Sequence, residues 1–178
     1  MRQIVTQAGF TDQPLAELKS WLAITTTAED AVLTALLETA SVMCERFTGS
    51  FPLETGIGET LPASREWQAL TACPFVALGA VVAVAGDGSE IALQPADYAL
   101  ERLGDGARIR LISARTERQL RVTYTAGLAR DWSVLDSGLR HGIVRFAAHA
   151  YRERDRDGEG AVPAAVVALW RPWRRLRL

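Results

Sequence analysis

Leu120-Arg121-Val122-Thr123-Tyr124-Thr125-Ala126-Gly127-Leu128 is where two periodicities meet. Up to Tyr124, large apolar residues alternate with Arg and Thr, a period of two that buries one face of a strand and leaves the other polar. Beyond Gly127 the period lengthens. Leu135, Leu139, Ile143, Phe146, Ala147, Ala150 and Tyr151 recur at helical spacing, while Arg140, Arg145, Arg152 and Glu153 fall largely elsewhere. The chain therefore predicts a strand-bearing region that ends near residue 126 and a long third helix after it.

Upstream, Pro74 precedes a Val- and Ala-rich run from Phe75 to Val84, and Ala85-Gly86-Asp87-Gly88 supplies a hairpin turn before Ile91 and Leu93. Gly104-Asp105-Gly106 is a second turn, ahead of Arg108-Ile109-Arg110-Leu111-Ile112. Residues 60–126 thus read as a small antiparallel β region inserted between helices two and three, with edges that a neighbouring subunit could cover. Between Pro52 and Pro62, Gly56 and Gly58 punctuate what reads as a loop. Earlier still, Asp12 and Pro14 open a short amphipathic helix carrying Leu15, Leu18, Trp21 and Leu22. Thr27-Ala28-Glu29-Asp30 has the pattern of a capping box, and helix two is expected from about Ala28 to Thr48, stopped by Gly49.

After the third helix, Arg152-Glu153-Arg154-Asp155-Arg156-Asp157-Gly158-Glu159-Gly160 alternates in charge and reads as a solvated, mobile linker. Pro163 suits the first turn of a last short helix carrying Val166, Val167, Leu169 and Trp170. The fold expected from these pieces is α+β, mainly an α-helical bundle of about four helices. One domain covers 1–178, with the β insertion at 60–126 and a C-terminal helix and tail at 161–178.

Length and composition agree with one domain, since 178 residues at 48% hydrophobic content can fill a core. No stretch approaches the roughly 20 apolar residues of a membrane span, and no secretory apolar run follows Met1, so a soluble protein made in the cytoplasm is expected. Residues 1–58 hold three basic and seven acidic groups, whereas residues 130–178 hold ten and six, so a near-neutral total hides an acidic front and a basic back.

Catalytic signals are sparse. Cys44 and Cys73 lack a zinc spacing and read as small buried hydrophobes. His141 and His149, eight apart on a helix, project about 80° apart and make a poor metal pair. No serine sits in a nucleophile elbow, and Gly56-Ile57-Gly58 lacks the third glycine of a dinucleotide loop. An enzyme is not expected, nor a cofactor or metal.

The candidate functional residues are instead the last nine: Trp170, Arg171, Pro172, Trp173, Arg174, Arg175, Leu176, Arg177 and Leu178. Trp and Arg anchor interfaces more than other side chains, the first by buried area and the second by forked hydrogen bonds. Pro172 should end the preceding helix near Trp170. The same residues are compatible with both indoles folding back onto the chain's own core while the arginines stay solvated. They are also compatible with arginines on phosphates and indoles on bases, as in a DNA-binding accessory protein, although the near-neutral whole opposes that use.

The order of the segments resembles the head-tail connector, or adaptor, proteins of long-tailed bacteriophages and of gene transfer agents. The matching pieces are Leu18-Lys19-Ser20-Trp21-Leu22, Glu45-Arg46-Phe47-Thr48-Gly49, the Leu120 to Leu128 stretch, Ile143 to Asp155 and Pro163 to Leu178, the last most similar to gene-transfer-agent adaptors. The resemblance implies a structural ring, commonly a dodecamer, below the portal protein and above a downstream stopper or tail-terminator protein. Double-stranded DNA would pass through its lumen, no membrane would be involved, and the protein would reside in the particle's neck. In the family the C-terminal segment reaches into the portal, which maps onto Ala165 to Leu178.

Overall fold

Gln119–Ala126, the stretch with the clear period of two, is the central strand of the larger sheet and hydrogen-bonds to neighbours on both sides. Its apolar residues Leu120, Val122, Tyr124 and Ala126 are buried and the residues between them are half-exposed. The computed structural model describes residues 1–6, 9–10, 12–154 and 162–175. In chain order the elements are β1 (Arg2–Thr6), α1 (Gln13–Leu22), α2 (Asp30–Thr48), β2 (Thr55–Pro62), β3 (Gln68–Ala69), β4 (Phe75–Val84), β5 (Glu90–Ala92), β6 (Tyr98–Leu103), β7 (Gly106–Leu111), β8 (Gln119–Ala126), α3 (Ser137–Glu153) and α4 (Ala164–Trp170). Two compact units result, Met1–Gln7 with Glu54–Gly127, and Ala8–Leu53 with Leu128–Leu178.

The β unit contains two antiparallel sheets, β1-β2-β8-β4-β5 and β3-β7-β6. This corrects the expected mainly helical bundle: among the described residues eight strands stand beside four α-helices, and the fold is mixed. The difference lies in residues 2–6, whose sequence shows no strand period, and in 55–62, which reads as a loop because of Gly56, Gly58 and Pro62. Those glycines serve the strand. A Cβ on Gly58 would lie 3.1 Å from Val5 Cγ2 and one on Gly56 3.1 Å from Thr6 Cβ, so both let β1 lie close against β2. The Asp87-Gly88 and Gly104 turns form as expected, with Gly88 at φ 86° and Gly104 at φ 58°.

One polar cluster lies within this apolar unit. Glu59 is 3% exposed, and its carboxylate accepts from Tyr124 Oη at 2.7 Å and from the Thr71 N–H at 3.0 Å. The phenol in turn accepts from the Ala72 N–H at 3.0 Å, and burial is the main cause that raises its pKa. Every member has a partner, which is what makes a buried carboxylate tolerable. Tyr124→Phe leaves Glu59 and the Ala72 N–H each one bond short. We expect it to cost about 1–3 kcal/mol in chemical denaturation, more than a hydroxyl removed from a surface tyrosine.

The helical unit is built around α3, which packs against α1, α2 and α4. Leu139, Ile143, Val144, Phe146, Ala147 and Ala148 of α3 meet Leu33, Leu37, Ala40 and Cys44 of α2, Leu18 of α1 and Val166 of α4 in one core. Burial is the first cause raising the Cys44 thiol to about 12, with the Glu45 charge adding to it. Asp136 caps α3, its carboxylate accepting from the Gly138 N–H at 2.8 Å. Arg152 and Glu153, expected in a linker, belong to α3, and the linker's residues 155–160 lie outside the described residues. Among the described residues no helix is long and apolar enough to cross a membrane.

Neither expected N-terminal cap forms. Asp12 stands at the N-cap of α1 without a side-chain bond, and α2 starts after Glu29, also without one. In α2 the acidic residues have tertiary partners instead. Asp30 accepts from Lys19 Nζ at 2.6 Å, joining α2 to α1. Glu29 accepts from the Tyr151 hydroxyl and, at 2.9 Å, from Arg154 Nη1, joining the start of α2 to the end of α3. The Tyr151 bond first, and the Arg154 bond second, hold the Glu29 carboxyl below its ordinary range. A carboxylate with a depressed folded pKa stabilises fully above its unfolded value and loses that contribution as pH falls through the folded one. The melting temperature of Glu29→Gln should therefore lie below that of the parent at neutral pH, and the gap should close as the buffer is taken into the acid range.

Candidate functional site

The C-terminal tail is positioned by a core residue. α4 begins after Pro163, whose extended ψ of 140° precedes the first helical turn, and it buries Val166 and Trp170 four residues apart. Trp170 is 0% exposed. Its ring stacks on Phe146 at 6.1 Å between centroids and tilts against Phe47 at 5.9 Å, tying α4 to α3 and α2. The indole N–H points to the Leu139 carbonyl at 3.5 Å, the outer limit of a hydrogen bond.

Gly142 makes this packing possible. A Cβ there would stand 2.2 Å from Trp170 Nε1 and 2.8 Å from Cδ1, an overlap with the rigid part of the side chain. Glycine within a helix costs up to about 1 kcal/mol relative to alanine. The indole occupies the space that this glycine leaves.

Beyond Trp170 the chain does as Pro172 dictates. Arg171–Trp173 form a single 3₁₀ turn, and Arg174 returns to extended backbone, its N–H donating to the Arg171 carbonyl at 3.2 Å. The Arg175 N–H then donates to the Thr48 carbonyl at 2.8 Å, supplying a donor to one of the orphan carbonyls at the end of α2. Gly49, at φ 78°, turns the chain there, and the Arg174 guanidinium lies 5.8 Å from the Phe47 ring. Trp173 is half-buried against the same core, whereas Arg171, Pro172 and Arg174 are exposed and Arg175 is half-exposed. Leu176, Arg177 and Leu178 lie outside the described residues.

The nine tail residues named from sequence thus divide. Trp170 is an internal residue in this conformation, Trp173 is shared between core and surface, and Arg171 and Arg174 present their charge to solvent. What sequence reasoning missed is the receiving surface, namely Phe47, Thr48, Gly142 and Phe146. A glycine in the middle of a strongly periodic helix was the available signal for a close approach.

A second surface lies along α1 and α3. Trp21, 43% exposed, meets His141 edge to face at 5.1 Å, with Arg145 6.0 Å from its ring. An open groove of about 600 Å³ beside it is lined by Glu17, Ser20, Trp21, His141, Val144 and Arg152. Arg140 reaches Glu17 at 3.7 Å across the same two helices. Among the described residues no group of three or more His, Cys, Asp or Glu side chains could hold a metal ion.

No protein-family model matches the chain, and no curated protein matches it. Solved structures do. Over 100% of this chain and 97% of the other, it is similar to a chain in the neck of an empty gene-transfer-agent particle computed with C6 symmetry, with a TM-score of 0.81 and 28% identity. It is similar over the same shares to chains in the virion of a native gene transfer agent (TM-score 0.79, 29% identity) and in the neck of a native particle computed with C12 symmetry (TM-score 0.78, 29% identity). The resemblance read from segment order thus extends to the full three-dimensional fold.

Trp170 and Gly142 can be tested as a pair. Trp170→Ala should cost about 3–5 kcal/mol in denaturant unfolding. Gly142→Ala should also destabilise, by about 1–3 kcal/mol, because the overlap with the indole outweighs alanine's helical advantage. A gain in stability for Gly142→Ala would show that the indole does not need that space.

Proposed function

We propose that the chain is a structural neck protein of a gene-transfer-agent or related phage-like particle, acting as a head-tail adaptor. The observation that carries the reading is the likeness to gene-transfer-agent neck chains over the full length of this chain and nearly all of theirs. Full coverage matters because the helical unit, both sheets and the tail all take part in the match. In this role copies form a ring beneath the portal, DNA passes through the lumen, and a stopper or tail-terminator protein follows below. The work done is mechanical and needs no catalytic group.

The tail is the portal-facing element in this reading, with roles reassigned by packing. Trp170 fixes where the tail leaves the core. Arg171, Arg174 and Arg177 supply charge to acidic side chains or carbonyls of the portal, and Trp173, Leu176 and Leu178 supply apolar area. Each anchor is modest. Repetition around a ring converts modest single contacts into tight attachment.

The test keeps the core intact. Arg171→Glu and Arg174→Glu, combined with removal of residues 176–178, should leave the melting temperature within a few degrees of the parent. Attachment to portal-bearing capsids, measured by co-sedimentation, should fall tenfold or more. Undiminished attachment would overturn the portal role of the tail. Binding of the unaltered protein to free duplex DNA that weakens steeply with salt and is abolished by the same changes would favour a DNA-binding accessory instead.

A further inference from the structure

The five-stranded sheet ends in β1 on one side and β5 on the other, and every residue of both strands is exposed. Open edges are normally blunted by proline, lysine or inward-pointing charge. β1 carries Arg2 and a register irregularity between Ile4 and Thr6 but no proline or lysine, and it shows Ile4 and Val5 at 48% and 56% exposure; β5, three residues long with Glu90 at its start, shows Ile91 at 46%.

Register determines which backbone groups face outward. Met1 and Thr60 exchange both bonds, each at 2.9 Å, so bonded positions on β1 alternate through Met1 and Gln3. Ile4 therefore turns its N–H and C=O to the open side. At the far edge the Ala85 N–H donates to Ser89 and the Leu93 N–H to Val81, both at 2.9 Å, which places Ser89, Ile91 and Leu93 in the ladder. Glu90 and Ala92 turn outward. The donor and acceptor of Ile4 match the acceptor of Glu90 and the donor of Ala92.

Their side chains match as well. Ile4 lies opposite Ile57 and Ile91 opposite Ala83, and both partners are fully buried, so the two exposed isoleucines belong to the same face of the sheet. Four successive antiparallel pairings also make β1 and β5 run in the same direction.

We propose that these edges form one interface between copies of this chain, β1 of one copy adding in parallel to β5 of the next. Ile4 donates its N–H to the Glu90 carbonyl and accepts from the Ala92 N–H, which sets Ile4 beside Ile91. Unlike edges of equal direction are what a cyclic operation joins, and such a contact gives a ring when its rotation closes; β1 against β1 would be twofold and stop at a dimer. The inference rests on the ring reading above and adds which surfaces meet.

Ile4→Cys with Ile91→Cys tests it in assembled necks. Both positions are exposed, neighbouring parallel strands lie within disulfide reach, and the native Cys44 and Cys73 are buried. Mild oxidation should move most of the chain into a ladder of cross-linked multimers, and neither single variant should form one. Necks that hold the ring but stay uncross-linked overturn the pairing, as do dimers from Ile4→Cys alone. Particles with a single copy of the chain overturn the ring itself, and the pairing with it. As a second measurement, Ile4→Pro removes an outward N–H while sparing the β1–β2 ladder. It should melt like the parent and enter necks at a tenth of the parent level or less; full incorporation would overturn the proposal.

Discussion

The indole of Trp170 sits over Gly142, and the arrangement of the helical unit depends on that contact. Because α3 carries no side chain at this point, α4 can lie close enough for one ring to reach both Phe146 on α3 and Phe47 on α2. Three helices are thereby fixed by a single side chain, and the tail leaves the core at a set place. The tail's backbone then meets the end of α2 through Arg175 and Thr48, so the direction of the exposed arginines follows from packing several residues away.

The β unit has a comparable dependency on one strand. β8 pairs with β2 and β4 along nearly its whole length, and its Tyr124 carries the phenol that satisfies both Glu59 and the Ala72 N–H. With its interior polar groups paired, the larger sheet leaves backbone groups open at its two edges. In the proposed ring, edges left bare in one chain would become an interface with the next.

How much was legible differs by segment. α1, α2, α3, β4, β7 and β8 have strong apolar periodicities and clear turn residues, and their existence could be read directly. β1 and β2 could not: β2 packs through glycines and β1 buries no face of its own, so neither shows an alternation of large buried side chains. The result was an expected helical bundle where the chain forms a mixed fold. The capping box at Thr27 failed for a different reason. Glu29 and Asp30 have stronger partners in Tyr151, Arg154 and Lys19, and those residues become neighbours only once α1, α2 and α3 pack. The tail's density of Trp and Arg was legible, yet the sequence left open whether its tryptophans turn inward or outward.

By itself the sequence determined the helical stripes, the turns, the basic C-terminal end and an order of segments like that of head-tail connectors. These are local properties, set by spacing and residue type along the chain. Tertiary structure alone decided that Trp170 faces inward, that Gly56 and Gly58 are places of close strand approach, and that Ile4 and Ile91 stand at opposite edges on one face of a sheet. The physical reason is the same in each case. A side chain's role depends on which distant residue leaves room for it or shares its face, and that is settled only when elements far apart in sequence pack together.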